Sequence, residues 1–289
     1  MSLRLLFVHA HPDDETLATG VAVAHHVARG DEVTVLTCTL GEQGEVIPPE
    51  LAHLAAEQDD TLGPYRREEL RRAMAAIGAE HRVLGERPGA LSRYRDSGMA
   101  GTPSAADPRC FVQADADVAA ALVRDVVIEV APDLVITYDA QGGYGHPDHI
   151  QTHRVVRAAV AGLPDGARPP VLAALTPSSW ALEDRAWLAE HGPAEPAWTL
   201  PTGDLPPSVV PDEVVTYEVV DPDAVSAQVA ALREHATQVS VSGEQYALSN
   251  DIAARLSGRE GYAEIDLATG APVPATEPGR RPLREAVRR

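Results

Sequence analysis

The sequence predicts an α/β protein built on a doubly wound, mainly parallel sheet. Three observations lead to this class. Residues 3–10 and 33–39 are mainly apolar, β-forming runs, with a helical pattern from about 15 to 29 between them. Consecutive parallel strands need such a crossover helix, and continuous apolar runs are typical of strands buried on both faces. A third run at 133–138 is followed by a glycine-rich turn and a helix from about 148 to 161, which repeats the unit.

The remaining elements of the first half follow in order. The stretch 40–63 is acidic and loop-like, and a helix starts at Pro64 and runs to residue 77. A short strand is expected at 81–85 and a helix at 114–131. Between them, 86–113 has no periodicity, and a long irregular segment in a compact domain is usually functional or mobile.

The second half carries weaker signals. We expect strands near 171–175 and 214–220, helices near 179–190 and 222–237, and an irregular proline-rich connection at 192–212. The expected organisation is one domain over 1–265. It comprises a Rossmann-like core at 1–165 and a smaller C-terminal α+β part at 166–265. The tail at 270–289 is rich in Pro and Arg and is expected to be disordered.

Composition limits the classes of function. Apolar residues make up 44% of the 289 positions, which is enough for a sizeable core. The net charge of −19 argues against a nucleic-acid or anionic-membrane partner, since phosphate contacts need clustered basic charge. Two cysteines are too few for a disulfide framework. With no recognisable leader or long apolar stretch, we expect a cytoplasmic protein, and nothing in the sequence indicates its oligomeric state.

The first chemical motif is the run 11–15, which follows the first strand. His11 and Asp14 stand three residues apart across a turn that Pro12 stiffens, so both side chains can be directed to one point. Imidazole and carboxylate suit a borderline divalent ion, and Asp13 could face the water side of that ion. A plain helix cap by Asp13 or Asp14 is the alternative. Three carboxylates within five residues weaken it, because a bound cation would relieve their repulsion.

The second motif, at 142–149, occupies the equivalent turn after the strand at 133–138. His149 is well placed as a third ligand, and three protein ligands plus water is the arrangement of catalytic zinc. Asp148 could orient His146 or His149, or cap the helix. His153 is expected to be a non-ligand and His9 a buried or supporting residue. Surface or packing positions are expected for His25, His26, His53, His81, His191 and His235.

These motifs resemble the LmbE/PIG-L superfamily of metal-dependent N-acetylglucosamine-type deacetylases. The shared features are Ala-His-Pro-Asp-Asp-Glu at 10–15 and His-Pro-Asp-His at 146–149. The likeness extends to the branch that deacetylates an N-acetylglucosaminyl inositol in mycothiol biosynthesis. It is carried by the segments 36–47, 94–102, 142–149 and 233–239, and it spans most of residues 3–250.

The resemblance implies a Rossmann-like deacetylase fold with one divalent ion per subunit, zinc or alternatively ferrous iron. It implies that the metal ligands are His11, Asp14 and His149. It further implies that Asp13 is the general base, that His146 stabilises the oxyanion and protonates the leaving amine, and that Tyr144 polarises the carbonyl. The implied contacts to the hydroxyls of a small glycoside substrate come from Arg66, Asp96 and Glu45.

Three other functions compete. An amidase of mycothiol S-conjugates would use the same chemistry on a bulkier amide, and the loops at 86–113 and 192–212 would separate the two. An inactive sugar-binding protein would need neither Asp13 nor His146. A nucleotide-binding domain is disfavoured, because the turn after the first strand lacks the Gly-x-Gly-x-x-Gly pattern.

Overall fold

The protein was studied as a computed structural model, which describes residues 2–275 and 278–287. Five parallel strands form the centre of the main sheet, in the spatial order β3-β2-β1-β4-β5. This order reverses between β1 and β4, as in doubly wound nucleotide-binding folds. The strands are β1 (Arg4–His9), β2 (Glu32–Thr37), β3 (Glu80–Val83), β4 (Leu134–Thr137) and β5 (Val171–Pro177).

Helices connect these strands and cover both faces of the sheet. Short 3₁₀ turns lie in the longer connections, including Pro103–Ala106 and Phe111–Gln113 within the irregular segment 86–113. The helices are α1 (Asp14–Ala28), α2 (Leu62–Ile77), α3 (Ala116–Val130), the single turn α4 (Gly142–Gly145), α5 (Pro147–Ala161), α6 (Ser178–His191) and α7 (Val225–Leu232).

The C-terminal part extends the same sheet and adds a small second one. β11 runs antiparallel to both β5 and β7, β12 pairs with the outer side of β7, and β6 joins the end of β5. The second sheet is antiparallel, in the order β10-β9-β8. These strands are β6 (Val209–Val210), β7 (Tyr217–Val220), β8 (Ser240–Ser242), β9 (Gln245–Ala247), β10 (Ala254–Arg255), β11 (Arg259–Glu264) and β12 (Arg281–Pro282).

The apolar core lies on both faces of the parallel strands. Along β1, Leu5 and Phe7 enter one hydrophobic cluster, while Leu6 and Val8 enter the cluster on the opposite face. All four side chains are fully buried, and burying each contributes about 1.5–3 kcal/mol. Burial of alternate residues on opposite faces explains why the strands read as continuous apolar runs. The predicted fold class is therefore confirmed.

Helix α1 is hydrogen-bonded, at its first turn and near its middle, to side chains of the C-terminal part. The carboxylate of Glu260 accepts the backbone N–H groups of Val21 and Ala22 at 2.7 and 2.9 Å, and the amide of Gln228 donates to the Thr16 carbonyl at 2.9 Å. Gly20 permits this approach, since a Cβ there would lie 2.9 Å from Cγ of Gln228. The helix that starts at the first motif is thereby tied to α7 and β11.

The tail differs from the expected disorder over 278–287. Arg281–Pro282 pairs in parallel with β7, and the following turn buries Leu283 and Ala286 at 1% and 4% exposure. Two apolar side chains among arginines and prolines suffice to seat the segment against the sheet, which composition alone does not reveal. Over the described ranges, no helix combines the length and apolar character needed to cross a membrane.

Candidate active site

Both motifs lie at the carboxyl edge of the sheet, where the strand order reverses. β1 pairs with β4 along Leu5–Phe7, so the turns that follow the two strands meet. The first turn leads into α1 and the second into α4 and α5. Gly142 makes the second turn possible: its φ is +64°, and a Cβ there would lie 2.7 Å from the Ile150 nitrogen. Chain segments over 130 residues apart in sequence are thus joined at one point.

The three predicted metal ligands converge. Nδ1 of His11 lies 3.2 Å from Oδ2 of Asp14, Nε2 of His149 lies 3.3 Å from the same oxygen, and the two nitrogens are 3.3 Å apart. Ligand atoms around a tetrahedral zinc, with bonds near 2.0–2.2 Å, stand roughly 3.3–3.5 Å from one another. The donor set and its spacing therefore fit a single divalent ion of borderline softness.

The electrostatics of the ligand cluster favour a cation. Burial alone would raise the pKa of Asp14, but His149 and His11 hold it well below its usual value. Burial opposes protonation of His11, yet Asp96, Asp14 and Asp148 together raise its pKa well above the ordinary value. Asp14 faces Nδ1 of His11, whereas Asp96 and Asp148 face Nε2 on the other side of the ring. Their combined negative charge favours a cation at Nδ1 as it favours a proton there, so metal and proton compete for that nitrogen.

The two histidines of the predicted ligand set are each held from behind by a further group. Nε2 of His11 lies 3.4 Å from a carboxylate oxygen of Asp148 and 3.4 Å from one of Asp96. Nδ1 of His149 lies 3.2 Å from the Gly142 carbonyl oxygen. Carboxylates and carbonyls in such positions fix the ring orientation of metal-binding histidines. Asp148 thus lies behind His11, not behind His146 or His149 as expected.

Asp13 sits at the pocket beside the ligands with an unusual backbone. Its φ is +110°, a region that residues with a Cβ rarely occupy, and its side chain makes no capping bond to α1. One carboxylate oxygen lies 3.2 Å from Nη2 of Arg66. Burial raises the pKa of Asp13 to about 7, with Arg66 opposing and Asp14 adding to the rise. A carboxyl of this pKa can exchange a proton near neutral pH.

His146 caps α5 and presents one nitrogen to the pocket. Its Nδ1 accepts the Asp148 backbone N–H at 3.2 Å, which leaves Nε2 for other partners. Burial, followed by the neighbouring His11 and His149, lowers its pKa to about 3. Both observations favour a neutral imidazole that donates from Nε2, where we had expected a protonated ring. Tyr144 lies at the mouth, 55% exposed, with its ring 5.0 Å from that of His149.

The three residues expected to bind substrate all line the same pocket, whose volume is about 200 Å³. Arg66 is 3% exposed and donates to the Gly41 carbonyl at 2.7 Å and to the Pro12 carbonyl. Its guanidinium group is therefore largely engaged in holding the loops around the pocket. Asp96 accepts the backbone N–H groups of Gln43 and Gly98 at 3.0 and 2.8 Å. The side chain of Glu45 is exposed at the mouth.

Several site residues escaped the sequence analysis. Tyr138 donates to Asp14 at 2.7 Å, accepts the Ala10 N–H at 2.9 Å and stacks on His149 at 4.1 Å. Its place directly after β4 was a usable signal. Ser97 donates its backbone N–H to Asp148 at 2.8 Å, and His235 bonds Glu15 at 2.8 Å.

His9 and His153 are buried supporting residues, bonded to Thr19 and to the Tyr138 carbonyl.

The fold and the site together define a class: a doubly wound α/β protein with buried imidazole and carboxylate groups, at the point where the strand order reverses, that could hold a divalent ion. The chain belongs to the PIG-L family, since the family model for GlcNAc-PI de-N-acetylases matches residues 6–160.

Full-length relatives support this assignment. A protein of Rhodococcus opacus (strain B4), named 1D-myo-inositol 2-acetamido-2-deoxy-alpha-D-glucopyranoside deacetylase, is 49% identical over 280 residues, covering 92% of this chain and 93% of the relative. Proteins of the same name from Geodermatophilus obscurus and Thermobifida fusca (strain YX) are 48% and 46% identical. They cover 90% and 89% of this chain, and 91% of each relative is matched.

Solved structures agree in fold. The 4-carboxy-2-hydroxymuconate hydratase GalB of Pseudomonas putida KT2440 aligns with a TM-score of 0.53 at 18% identity, covering 96% of this chain and all of the hydratase. The A40926 pseudoaglycone deacetylase Dbv21 aligns with a TM-score of 0.50 at 22% identity, covering 82% and 83%. A hydratase and a deacetylase share this architecture, so the reaction must be argued from the site.

Proposed function

We propose that this protein hydrolyses the N-acetyl group of 1-D-myo-inosityl-2-acetamido-2-deoxy-α-D-glucopyranoside, releasing the free amine and acetate in mycothiol biosynthesis. The observation that carries the proposal is the triangle of His11, Asp14 and His149, 3.2–3.3 Å on each side, with Asp13 at the same pocket. The relatives that match most of this chain are named for this reaction.

His11, Asp14 and His149 would hold one divalent ion, zinc or alternatively ferrous iron. When bound, such an ion supplies hydroxide near neutral pH and a Lewis acid for the amide carbonyl. Asp148, Asp96 and the Gly142 carbonyl then keep the two imidazoles oriented, as described above.

Asp13 has the properties of the general base. It lines the pocket, does not belong to the ligand triangle, and its pKa of about 7 suits proton transfer at neutral pH. After accepting a proton from the attacking water, the same carboxyl can return it to the leaving amine. This role for Asp13 becomes important because the lowered pKa of His146 favours its neutral form.

His146 and Tyr144 would stabilise the charge that develops on the carbonyl oxygen. Nε2 of His146 is free to donate because Nδ1 already accepts from the Asp148 backbone. The exposed Tyr144 hydroxyl can turn toward a substrate at the mouth. A neutral donor serves an oxyanion without needing a proton from solution.

The polar pocket suits a neutral glycoside. Arg66, Asp96 and Glu45 line it, and carboxylate or guanidinium groups can hydrogen-bond sugar and inositol hydroxyls. Glu45 is the most available of the three, because Arg66 and Asp96 already make several bonds to the protein.

The test combines elemental analysis with an amine-release assay on the N-acetylglucosaminyl inositol, before and after chelation and after metal return. Stoichiometric metal and chelator-sensitive release are expected. The same assay on a mycothiol S-conjugate separates the deacetylase from the amidase. Bound metal without release from either amide would point to a binding protein, and metal-free protein with full activity would overturn the proposal.

A further inference from the structure

A fully buried pair, Glu15 and His235, lies beneath the pocket and faces none of it. Both residues are 0% exposed, and Nε2 of His235 is 2.8 Å from Oε1 of Glu15. Glu15 comes from the first turn of α1, whereas His235 follows α7, 220 residues later. Neither residue lines the pocket, so neither touches a substrate there.

The carboxylate of Glu15 reaches back to the residue before the metal ligand. Its Oε2 accepts the backbone N–H of Asp13 at 3.0 Å, and its Oε1 accepts the Thr16 hydroxyl at 2.6 Å. The carbonyl of Asp13 accepts the N–H groups of Thr16 and Leu17 at 3.0 and 2.9 Å. The backbone of Asp13 is therefore held on both sides, at a φ of +110° that a free peptide would avoid.

We infer that Glu15, held in place by His235, is a positioning residue that keeps Asp13 in its left-handed conformation and so aims its carboxyl at the attacking water. This inference rests on the proposed function for its kinetic readout. The bond to the Asp13 N–H resembles the backward bond of a capping box. Glu15 differs from a simple cap because it is fully buried and its other oxygen is paired with His235, 220 residues away.

The donors around Glu15 leave little freedom. The Asp13 N–H and the Thr16 hydroxyl donate to the two carboxylate oxygens, and Nε2 of His235 lies 2.8 Å from one of them. An ionised carboxylate accepts from all three, with a proton on Nε2 of His235. Glutamine has the same shape but only one acceptor oxygen and no charge. E15Q keeps the Asp13 bond only if its NH2 group faces Thr16 and His235, which then have to accept instead of donate. In either orientation the bonds to a charged carboxylate are replaced by weaker neutral ones, which loosens the link between α7 and Asp13.

The experiment compares E15Q with E260Q, a matched glutamate that also accepts backbone N–H groups of α1 but contacts no pocket residue. E15Q is expected to lower kcat about tenfold or more, with KM within about twofold and metal stoichiometric. E260Q is expected to retain kcat. In a D13N background, E15Q should have no further effect on the residual rate, because the action of Glu15 passes through Asp13.

Two additional readouts keep the test decisive. H235Q retains a donor near the position of Nε2 and should keep most of kcat, whereas H235L should resemble E15Q; this pair replaces E15Q if that variant does not fold. Amide exchange of Asp13, measured by NMR, should become about tenfold faster in E15Q and stay unchanged in E260Q.

Three results would each overturn the inference. They are an unchanged kcat in E15Q, a fall in rate on adding E15Q to D13N that equals its fall in the wild type, and an unchanged exchange rate of the Asp13 amide in E15Q. If the wild-type protein releases no amine, the proposed function fails, and the exchange of the Asp13 amide alone decides whether Glu15 holds it.

Discussion

Replacing Tyr138 by phenylalanine should weaken metal binding without touching a ligand. The hydroxyl of Tyr138 donates to Oδ2 of Asp14 at 2.7 Å and accepts the N–H of Ala10 at 2.9 Å. Phenylalanine preserves the ring that stacks on His149 at 4.1 Å. The variant therefore removes one oxygen atom and keeps the packing.

The magnitude follows from these two bonds. The N–H of Ala10, a residue with 0% exposure, would lose its partner, which costs about 1–3 kcal/mol, and a bond to a charged carboxylate contributes about 1.5–3 kcal/mol. Because the two terms overlap, we expect the metal-free protein to lose about 2–4 kcal/mol, or roughly 3–7 °C in Tm for a chain of this length. Supporting groups of this kind change metal affinity about 10–100-fold.

Calorimetric titration with zinc, together with thermal unfolding of the metal-free protein, measures both effects. Y217F is the matched control, since Tyr217 is equally buried at 6% exposure, and its hydroxyl accepts from Arg281 at 2.6 Å, on an outer strand. We expect Y217F to lose stability while its zinc affinity stays unchanged. Equal zinc affinities for Y138F and wild type would refute the idea that the hydroxyl orients Asp14.

Other variants test the remaining assignments. D13A should keep its metal and lose about 10²–10⁴-fold in turnover, because the proton acceptor is gone; metal analysis and amine release measure this. H149A should lose metal, whereas H153A, one turn further along α5 and also buried, should keep it; elemental analysis of both compares them. Glu260 predicts a pH dependence: burial raises its pKa to about 7. The protonated carboxyl of Glu260 therefore stabilises the folded protein fully below pH 4.5, and this stabilisation is lost as the pH rises through about 7. The free energy of unfolding should fall by about 2 kcal/mol over this range, after allowance for the partial exposure of the side chain. Denaturant unfolding from pH 4.5 to 8.5 should show this slope in wild type and a flatter one in E260Q.

The outcomes that contradict these predictions are specific. D13A protein without metal would make Asp13 a ligand, and full metal occupancy in H149A would remove His149 from the ligand set. For Glu260, equal pH slopes in wild type and E260Q would show that its carboxyl titrates normally in the fold.

The sequence predicted the central sheet well because its signals are local. Strands buried on both faces need continuous apolar runs, and the runs at 3–10, 33–39 and 133–138 were found as β1, β2 and β4 within one or two residues. The helices between them show either a clear helical spacing of apolar residues or a proline near their first turn. Each of these elements is specified by the residues within it, so no distant partner had to be known.

The outer strands could not be predicted in the same way. β11 spans Arg259–Glu264, whose polar and glycine residues show no strand pattern, and it forms because it fits between β5 and β7. β12 is two residues long and lies within a segment whose composition suggested disorder. Pairing across a sheet depends on neighbours far away in sequence, which a single chain read in order does not reveal.

In the candidate site, too, residues within local motifs were predicted, whereas residues that act through distant contacts were not. His11, Asp14 and His149 stand in short motifs after strands, and the structure brings them together as the sequence analysis expected. The supporting groups were missed. Tyr138 contacts Asp14 across 124 positions and His235 contacts Glu15 across 220, and our expectation of a surface or packing role for His235 overlooked that contact.

The hydrogen bonds that join Gln228 and Glu260 to the first half of α1 bear on how the protein unfolds. The loop that carries His11 and Asp14 belongs by sequence to the N-terminal core, yet the helix that follows it is hydrogen-bonded to α7 and β11. Opening of the C-terminal strands would release these bonds and free the first turns of α1. The loop at 11–14 and the C-terminal part should therefore unfold as one cooperative unit. A bound metal ion should then slow amide hydrogen exchange in β11, although the ion is not bound there.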